Sequence, residues 1–212
     1  MRIEVFSDCV CPWCYIGKRH LEQALAQGEF GHVDIHWRAF QLNPDLPPEG
    51  RDRREYLDAK FGGAEAVQAM HARIQEAGRG AGIEFQFDKI IRSPNTLNAH
   101  RLIRLAQMQN RAGEMVETLF RGYFTEGRDI GDAGTLAELA QTADVTGNIV
   151  PWLAGDEQQA AVLEDLHSAR RLGINGVPFF IFENRYALSG AQPVEVFTQA
   201  LRAAREKSRA MN

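Results

Sequence analysis

All three cysteines of the chain, Cys9, Cys11 and Cys14, fall within six consecutive positions of a 212-residue sequence, in the stretch SDCVCPWCYIGKRHL. Cys11 and Cys14 have CxxC spacing, with Pro12 and Trp13 between them. Proline suits the first turn of a helix, where its missing N–H is not needed. A helix starting at Pro12 makes Cys11 its N-cap and brings Cys14 round to the same side one turn later. In that position the Cys11 sulfur is expected to accept hydrogen bonds from the N–H groups of Trp13 and Cys14, at the positive end of the helix dipole. A helix N-terminus favours thiolate over thiol, and the thiolate is the nucleophile. Cys14 can then reach the same sulfur and close a small disulfide. An attacking thiol and a resolving thiol are the two parts that thiol–disulfide exchange requires.

Two other uses of a CxxC pair stay open on spacing alone. It can be half of a zinc site, but such a site needs further ligands at a second motif. The chain has no other cysteine, and none of its six histidines stands beside the pair to complete such a motif. It can also be two inert buried thiols. Cys9 falls outside the helix and reads first as a small packing residue; its sharper use is a regulatory bond to Cys11 or Cys14. No histidine stands between Cys11 and Cys14, so activation rests on the helix terminus, which implies a mild oxidant. Asp8, if near in space, opposes thiolate formation.

The elements that must position these residues are readable in outline. RIEVFS alternates apolar Ile3 and Val5 with polar neighbours and predicts a strand. A helix follows from Pro12 to near Gly28, and VDIHWRAF predicts a second strand through Val33, Ile35 and Trp37. QLNPDLPPEGRD is a loop rich in proline and charge. Helical patterns then run for over a hundred residues. They include one helix carrying Met70 and Ile74, and one capped by Ser93 with Pro94 in its first turn. Asp132 and Asp156 precede further helices, the last ending at Gly173. VPFFIF is a strand buried on both faces; a turn at Glu183, Asn184 and Arg185 leads to YALSG, and a final helix starts near Pro193. Strands at both ends and helices in the middle predict an α/β fold, with a discontinuous domain of residues 1–42 and 156–207 interrupted by an all-helical insertion at 43–155.

Composition is that of a water-soluble globular chain, with 44% hydrophobic and 25% charged residues. A net charge of −4 argues against a nucleic-acid partner, and Arg51, Arg53 and Arg54 read as a solvated face. No apolar run approaches the roughly 20 residues of a membrane span. MRIEVFSD begins a strand at once, without a secretory signal, so a cytoplasmic location is expected. In that compartment a cysteine cluster is catalytic or metal-binding more often than structural.

CPWCYIG after a first strand, a long helical insertion, then GINGVPFF with a hairpin and a last helix resembles the DsbA-like branch of the thioredoxin superfamily. Within it the chain is most similar to FrnE-type oxidoreductases, relatives of 2-hydroxychromene-2-carboxylate isomerases and kappa-class glutathione transferases. LNPDLPPEG, NTLNAHRL and SGAQP also carry the resemblance, which runs from Ile3 to about Ala204. It implies a thioredoxin-like fold with an inserted helical domain and a cis Val177–Pro178 peptide facing the cysteines. Val177 would hold a substrate strand while Cys11 attacks, Cys14 resolving the mixed disulfide. It further implies that Asn95 and His100 line the cleft and that Pro12, Trp13 and Phe179 wall it. The chain departs from wider patterns at Val5, where many relatives carry a buried acid. It also departs at Gln192, where glutathione-using relatives carry a charge. The function implied is a thiol–disulfide oxidoreductase or isomerase acting on disulfide- or thiol-bearing proteins or small molecules. No resident cofactor or metal is implied; glutathione enters only as redox partner or co-substrate. The alternatives are a glutathione-dependent isomerase or transferase for a small aromatic molecule, with a deep apolar cleft, and a redox sensor built on Cys9, Cys11 and Cys14.

Overall fold

A computed structural model describes residues 1–209. Strand β1 (Arg2–Ser7), helix α1 (Pro12–Ala26) and strand β2 (Asp34–Ala39) form the expected strand–helix–strand unit. β2 lies parallel to β1, from Arg2 opposite Asp34 to Ser7 opposite Ala39, a pairing that requires a crossover such as α1. The proline-rich loop leads to a two-residue strand β3 (Arg51–Asp52) and helix α2 (Arg53–Phe61), whose N-cap Asp52 accepts the Glu55 N–H. Helix α3 (Ala64–Gly80) follows, then β4 (Arg92–Ser93), which pairs with β3.

The next helix, α4 (Leu97–Met108), starts three residues later than the Ser93 cap predicts. Ser93 is instead paired in the ladder opposite Arg51, and the Asn95 side chain accepts the Leu97 N–H at 2.9 Å, turning the chain into the helix. Helices α5 (Ala112–Phe124), α6 (Ala133–Thr142), α7 (Ile149–Ala154) and α8 (Gln159–Arg171) complete the middle of the chain. Asp132 caps α6 as expected, accepting the Thr135 N–H at 2.7 Å. Gly173, at φ 69, ends α8, where the Ile174 N–H returns to the Ala169 carbonyl. Strands β5 (Phe179–Phe182) and β6 (Tyr186–Ser189) form a hairpin, and α9 (Val194–Arg209) closes the chain. Glu183 and Asn184 both take positive φ in the turn, the handedness that matches strand twist.

The four strands run in the order β2-β1-β5-β6, with β5 antiparallel to both neighbours. Side chains alternate across the sheet. Ile3, Val5, Phe180 and Phe182 face α1 and α9, where Phe180 meets Phe197 edge to face at 4.8 Å. Phe6, Phe179 and Ile181 face the other way, against Ala169 of α8 and Ile174. This is an α/β thioredoxin-like fold carrying inserted helices. The insertion is not a separate globule: one continuous buried cluster runs from β1 and α1 into α4, α5 and α6. At the seam, Tyr15 of α1 stacks on Phe120 of α5 at 5.0 Å, and an ion network joins Lys18 and Arg19 to Glu117.

Candidate active site

Cys11 is the N-cap of α1, with extended φ −94 and ψ 110. Its sulfur makes no cap hydrogen bond; the Cys14 N–H goes to the Cys11 backbone carbonyl at 3.0 Å instead. The expected capping of α1 by the Cys11 sulfur is therefore absent. The Cys11 Sγ points across the fold and lies 3.6 Å from the Val177 carbonyl oxygen. The Val177–Pro178 peptide is cis, and Pro178 packs on α1 at Gly17. A Cβ on Gly17 would lie 3.0 Å from Pro178 Cγ and 3.1 Å from Phe180 Cζ, so glycine permits this close approach of helix and loop.

Cys14 is buried behind Cys11. Burial pushes its thiol well above the ordinary range, and the hydrogen bond and charge of Cys11 add to this, against a partial pull from Ser7 and the Asp8 backbone. All three cysteines are thiols. The pair therefore has one sulfur at a cavity wall and one held protonated in the interior, an asymmetry suited to attack by the first and resolution by the second.

The cavity at Cys11 has a volume of about 330 Å³, at the lower end for small-molecule sites. Cys11, Pro12, Trp13 and Val177 line it, while Pro178 is buried behind it. Asn95 and His100 do not line it. Asn95 is tied to the loop, donating to the Leu46 carbonyl at 2.6 Å and accepting from Gln41 at 3.1 Å. His100 is buried and faces a second, very small cavity with Cys9, Arg38 and Arg104. Phe179 sits on the opposite face of the sheet, against Phe6 and Ala169. Their neighbours Ser93 and Pro94, rather than Asn95, reach the cavity.

The opposing wall comes from α2 and α3 and was not anticipated. Arg53, Tyr56, Leu57 and Lys60 of α2, and Met70, His71 and Ile74 of α3, all line the cavity. Their spacing was a usable signal: 53, 56, 57 and 60 share one helix face, as do 70, 71 and 74. Arg53 is thus not part of the solvated basic run with Arg51 and Arg54; it is half-buried, and its Nη1 donates to the Tyr123 hydroxyl at 2.8 Å.

Asp8, Cys9 and His100 bring three possible metal-ligand atoms within 4.8 Å of one another. The set does not suit a cation. His100 Nε2 meets the Phe40 carbonyl at 3.0 Å and so must carry a proton, and the two arginines of the adjoining cavity add positive charge. Burial and the Asp8 carboxylate also hold the Cys9 thiol well above its usual range.

The DsbA-like thioredoxin domain family matches residues 2–202. YwbO of Bacillus subtilis is 26% identical over 209 residues, covering 95% of this chain and 96% of its own length. A probable DsbA oxidoreductase from Streptomyces coelicolor superposes with a TM-score of 0.88 at 34% identity, covering 96% of this chain and 89% of that one. The cytosolic disulfide reductase DsbM from Pseudomonas aeruginosa shares the fold over the full length of both chains, with a TM-score of 0.69 and 18% identity. Among the described residues, no helix is long and apolar enough to cross a membrane.

Proposed function

The chain belongs to the DsbA-like thioredoxin family, and on that premise we propose that it is a thiol–disulfide oxidoreductase or isomerase of the cytoplasm. The observation that carries the reading is the pair itself: Cys11 Sγ at a cavity wall, 3.6 Å from the Val177 carbonyl, with Cys14 buried one helical turn behind. The Cys11 thiolate attacks one sulfur of a substrate disulfide, forming a Cys11–substrate mixed disulfide and releasing the first substrate sulfur as a thiolate. Cys14 gives up its proton and attacks the Cys11 sulfur. The second substrate sulfur leaves, and a Cys11–Cys14 disulfide remains. Two electrons pass from the dithiol to the substrate, and the reverse sequence oxidises a dithiol. Val177 holds the substrate beside Cys11, with Pro12 and Trp13 shaping the surface there and Pro178, buried against Gly17, supporting Val177 from behind. No resident cofactor is needed; glutathione serves as redox partner.

The test is a redox titration in glutathione buffers, with thiols trapped by alkylation and read by mass spectrometry, alongside Cys14→Ser. The expected result is a Cys11–Cys14 bond that opens and closes at a defined potential, and mixed disulfides that accumulate on Cys11 in Cys14→Ser. A pair that never closes, with Cys14→Ser fully active, would overturn it. That outcome would support a second reading, favoured by the apolar walls of the cavity: a glutathione-dependent isomerase or transferase for a small aromatic molecule, with Cys11 orienting the glutathione sulfur.

A further inference from the structure

The wall that α2 and α3 contribute to the cavity has an uneven charge. Arg53, Lys60 and His71 line it, and no aspartate or glutamate does. Their partners are neutral. Arg53 donates from Nη1 to the Tyr123 hydroxyl, while its Nε is shielded from solvent and makes no hydrogen bond. Lys60 Nζ reaches the Tyr56 hydroxyl at 3.1 Å and the Asn43 side-chain oxygen. His71 stacks on Phe87 with ring centres 4.1 Å apart, and its Nε2 is buried without a partner. Burial first, and the charge of Arg53 second, hold the His71 ring below its usual pKa, against an opposing pull from the Asp88 carboxylate. The ring is a neutral hydrogen-bonding group beside a cation. Apart from Asn43, Ser93 and Cys11, the rest of the lining is mostly aromatic or aliphatic, including Trp13, Phe87 and Met70.

Cations taken out of water need a counter-charge or full hydrogen bonding. Half-buried Arg53 has neither in full, and exposed Lys60 adds a second positive charge on the same wall, although the chain as a whole carries a net charge of −4. We infer that this wall is a binding site for the acidic group of a small, ring-bearing carboxylate, and that the disulfide or thiol reduced or oxidised at Cys11 is carried on such a molecule. The carboxylate accepts from Arg53 and Lys60, with His71 as a neutral partner. The ring lies among the aromatic side chains, and the sulfur meets Cys11. The inference rests on the oxidoreductase reading and adds a substrate class to it. A protein substrate held only as an extended strand along Val177 would make no use of two unneutralised cations on the opposing wall.

The test compares two aromatic disulfides against the reduced full-length protein: dithiobis(nitrobenzoate), which carries carboxylates, and dithiodipyridine, which is uncharged. Each is reduced to two thiols as Cys11 and Cys14 become a disulfide, so stoichiometry confirms the reaction. The readout is the ratio of second-order rate constants, charged over uncharged. Arg53→Gln should lower the ratio about tenfold or more, the loss expected for a hydrogen bond to a charged group. Lys60→Gln, on a more exposed residue, should lower it severalfold and carries the test if Arg53→Gln does not fold. Arg54→Gln removes the same charge from the exposed side of α2 and should leave the ratio where it is. If both disulfides react but the ratio is the same in all variants, the anion site is refuted and the oxidoreductase reading stands. If neither reacts with the folded dithiol protein, both fall.

Discussion

Glu117 is the point where the inserted helices grip the helix that carries the cysteines. Its carboxylate accepts from Lys18 Nζ at 2.7 Å, Arg19 Nη2 at 2.5 Å and the Tyr15 hydroxyl at 2.8 Å. Burial alone would raise its pKa, but Lys18, Tyr15 and Arg19 outweigh this and hold it below the usual carboxylate range. Glu117→Gln keeps the shape and removes the charge. An exposed ion pair contributes about 0–1 kcal/mol, and breaking a buried one costs about 3–5 kcal/mol. The Lys18 side chain is only 5% exposed and that of Glu117 24%, which places this pair between the limits. Glu22 stays 2.5 Å from Lys18 and softens the loss. The expected cost is about 2 kcal/mol at neutral pH, or a fall in Tm of about 4–8 °C for a chain of this size. Because the folded-state pKa is depressed, the stabilisation is complete above the unfolded carboxylate pKa, about 4.3, and is lost as pH falls through the lower folded value. Urea unfolding at neutral pH, with a double-mutant cycle against Lys18→Met, reads the effect directly. A loss below about 0.5 kcal/mol, within the range of ordinary surface substitutions, together with no coupling to Lys18, would refute the argument that this network joins the two parts of the fold.

Three further outcomes follow from single side chains. Arg101 is 2% exposed and donates to the carbonyls of Leu153, Gly155 and Glu157 at 2.8–3.0 Å; Arg101→Met leaves them without that donor and should cost about 3 kcal/mol or more in urea unfolding. Cys9 faces the small cavity with His100, apart from the cavity at Cys11. Cys9→Ala should therefore leave the Cys11–Cys14 midpoint potential as it is in glutathione buffers, and a shifted midpoint would bring Cys9 back into the redox chemistry. Gly17→Val places methyl groups where even a Cβ would lie 3.0 Å from Pro178. Overpacking of this kind costs about 1–3 kcal/mol, and displacing the loop that holds Val177 should slow disulfide reduction in stopped-flow measurements.

The parts of the site that the sequence made legible are those held together by short-range rules. Pro12 inside the first turn of a helix, Gly173 past the end of another and a period of two along RIEVFS each act over a few residues. The elements they predict are present. The Cys11 sulfur was misread because capping by a side chain depends on its rotamer, and here the Val177 carbonyl, distant in sequence, draws it away. His100 was misplaced for a similar reason. The polar face of α4 was legible, but its direction depends on how α4 packs on α5, α8 and β2, which no local pattern encodes. Arg53 shows the reverse error. Within RDRR its charge looked like part of a solvated run, yet its spacing from Tyr56, Leu57 and Lys60 marked a single mixed face.

That face explains why a compact thiol site would carry so large an insertion. The proposed electron-transfer chemistry needs only the turn from Asp8 to Cys14 and the loop at Val177, which lie together at one end of the two central strands, β1 and β5. Neither supplies a cation to the cavity; both Arg53 and Lys60 come from α2. On the proposed mechanism, attack and resolution fall to the thioredoxin-like elements, and the choice of what reaches Cys11 to helices that contribute no sulfur. The two parts cannot drift independently, because Tyr15, Lys18 and Arg19 lie on the same helix as Cys14, while Glu117 lies on the same helix as Tyr123, which bonds Arg53. A change in the seating of α5 on α1 would therefore move the anion-binding wall relative to the attacking sulfur. Loss of Glu117 should accordingly slow the carboxylate-bearing disulfide more than the uncharged one, even under conditions where the variant is fully folded.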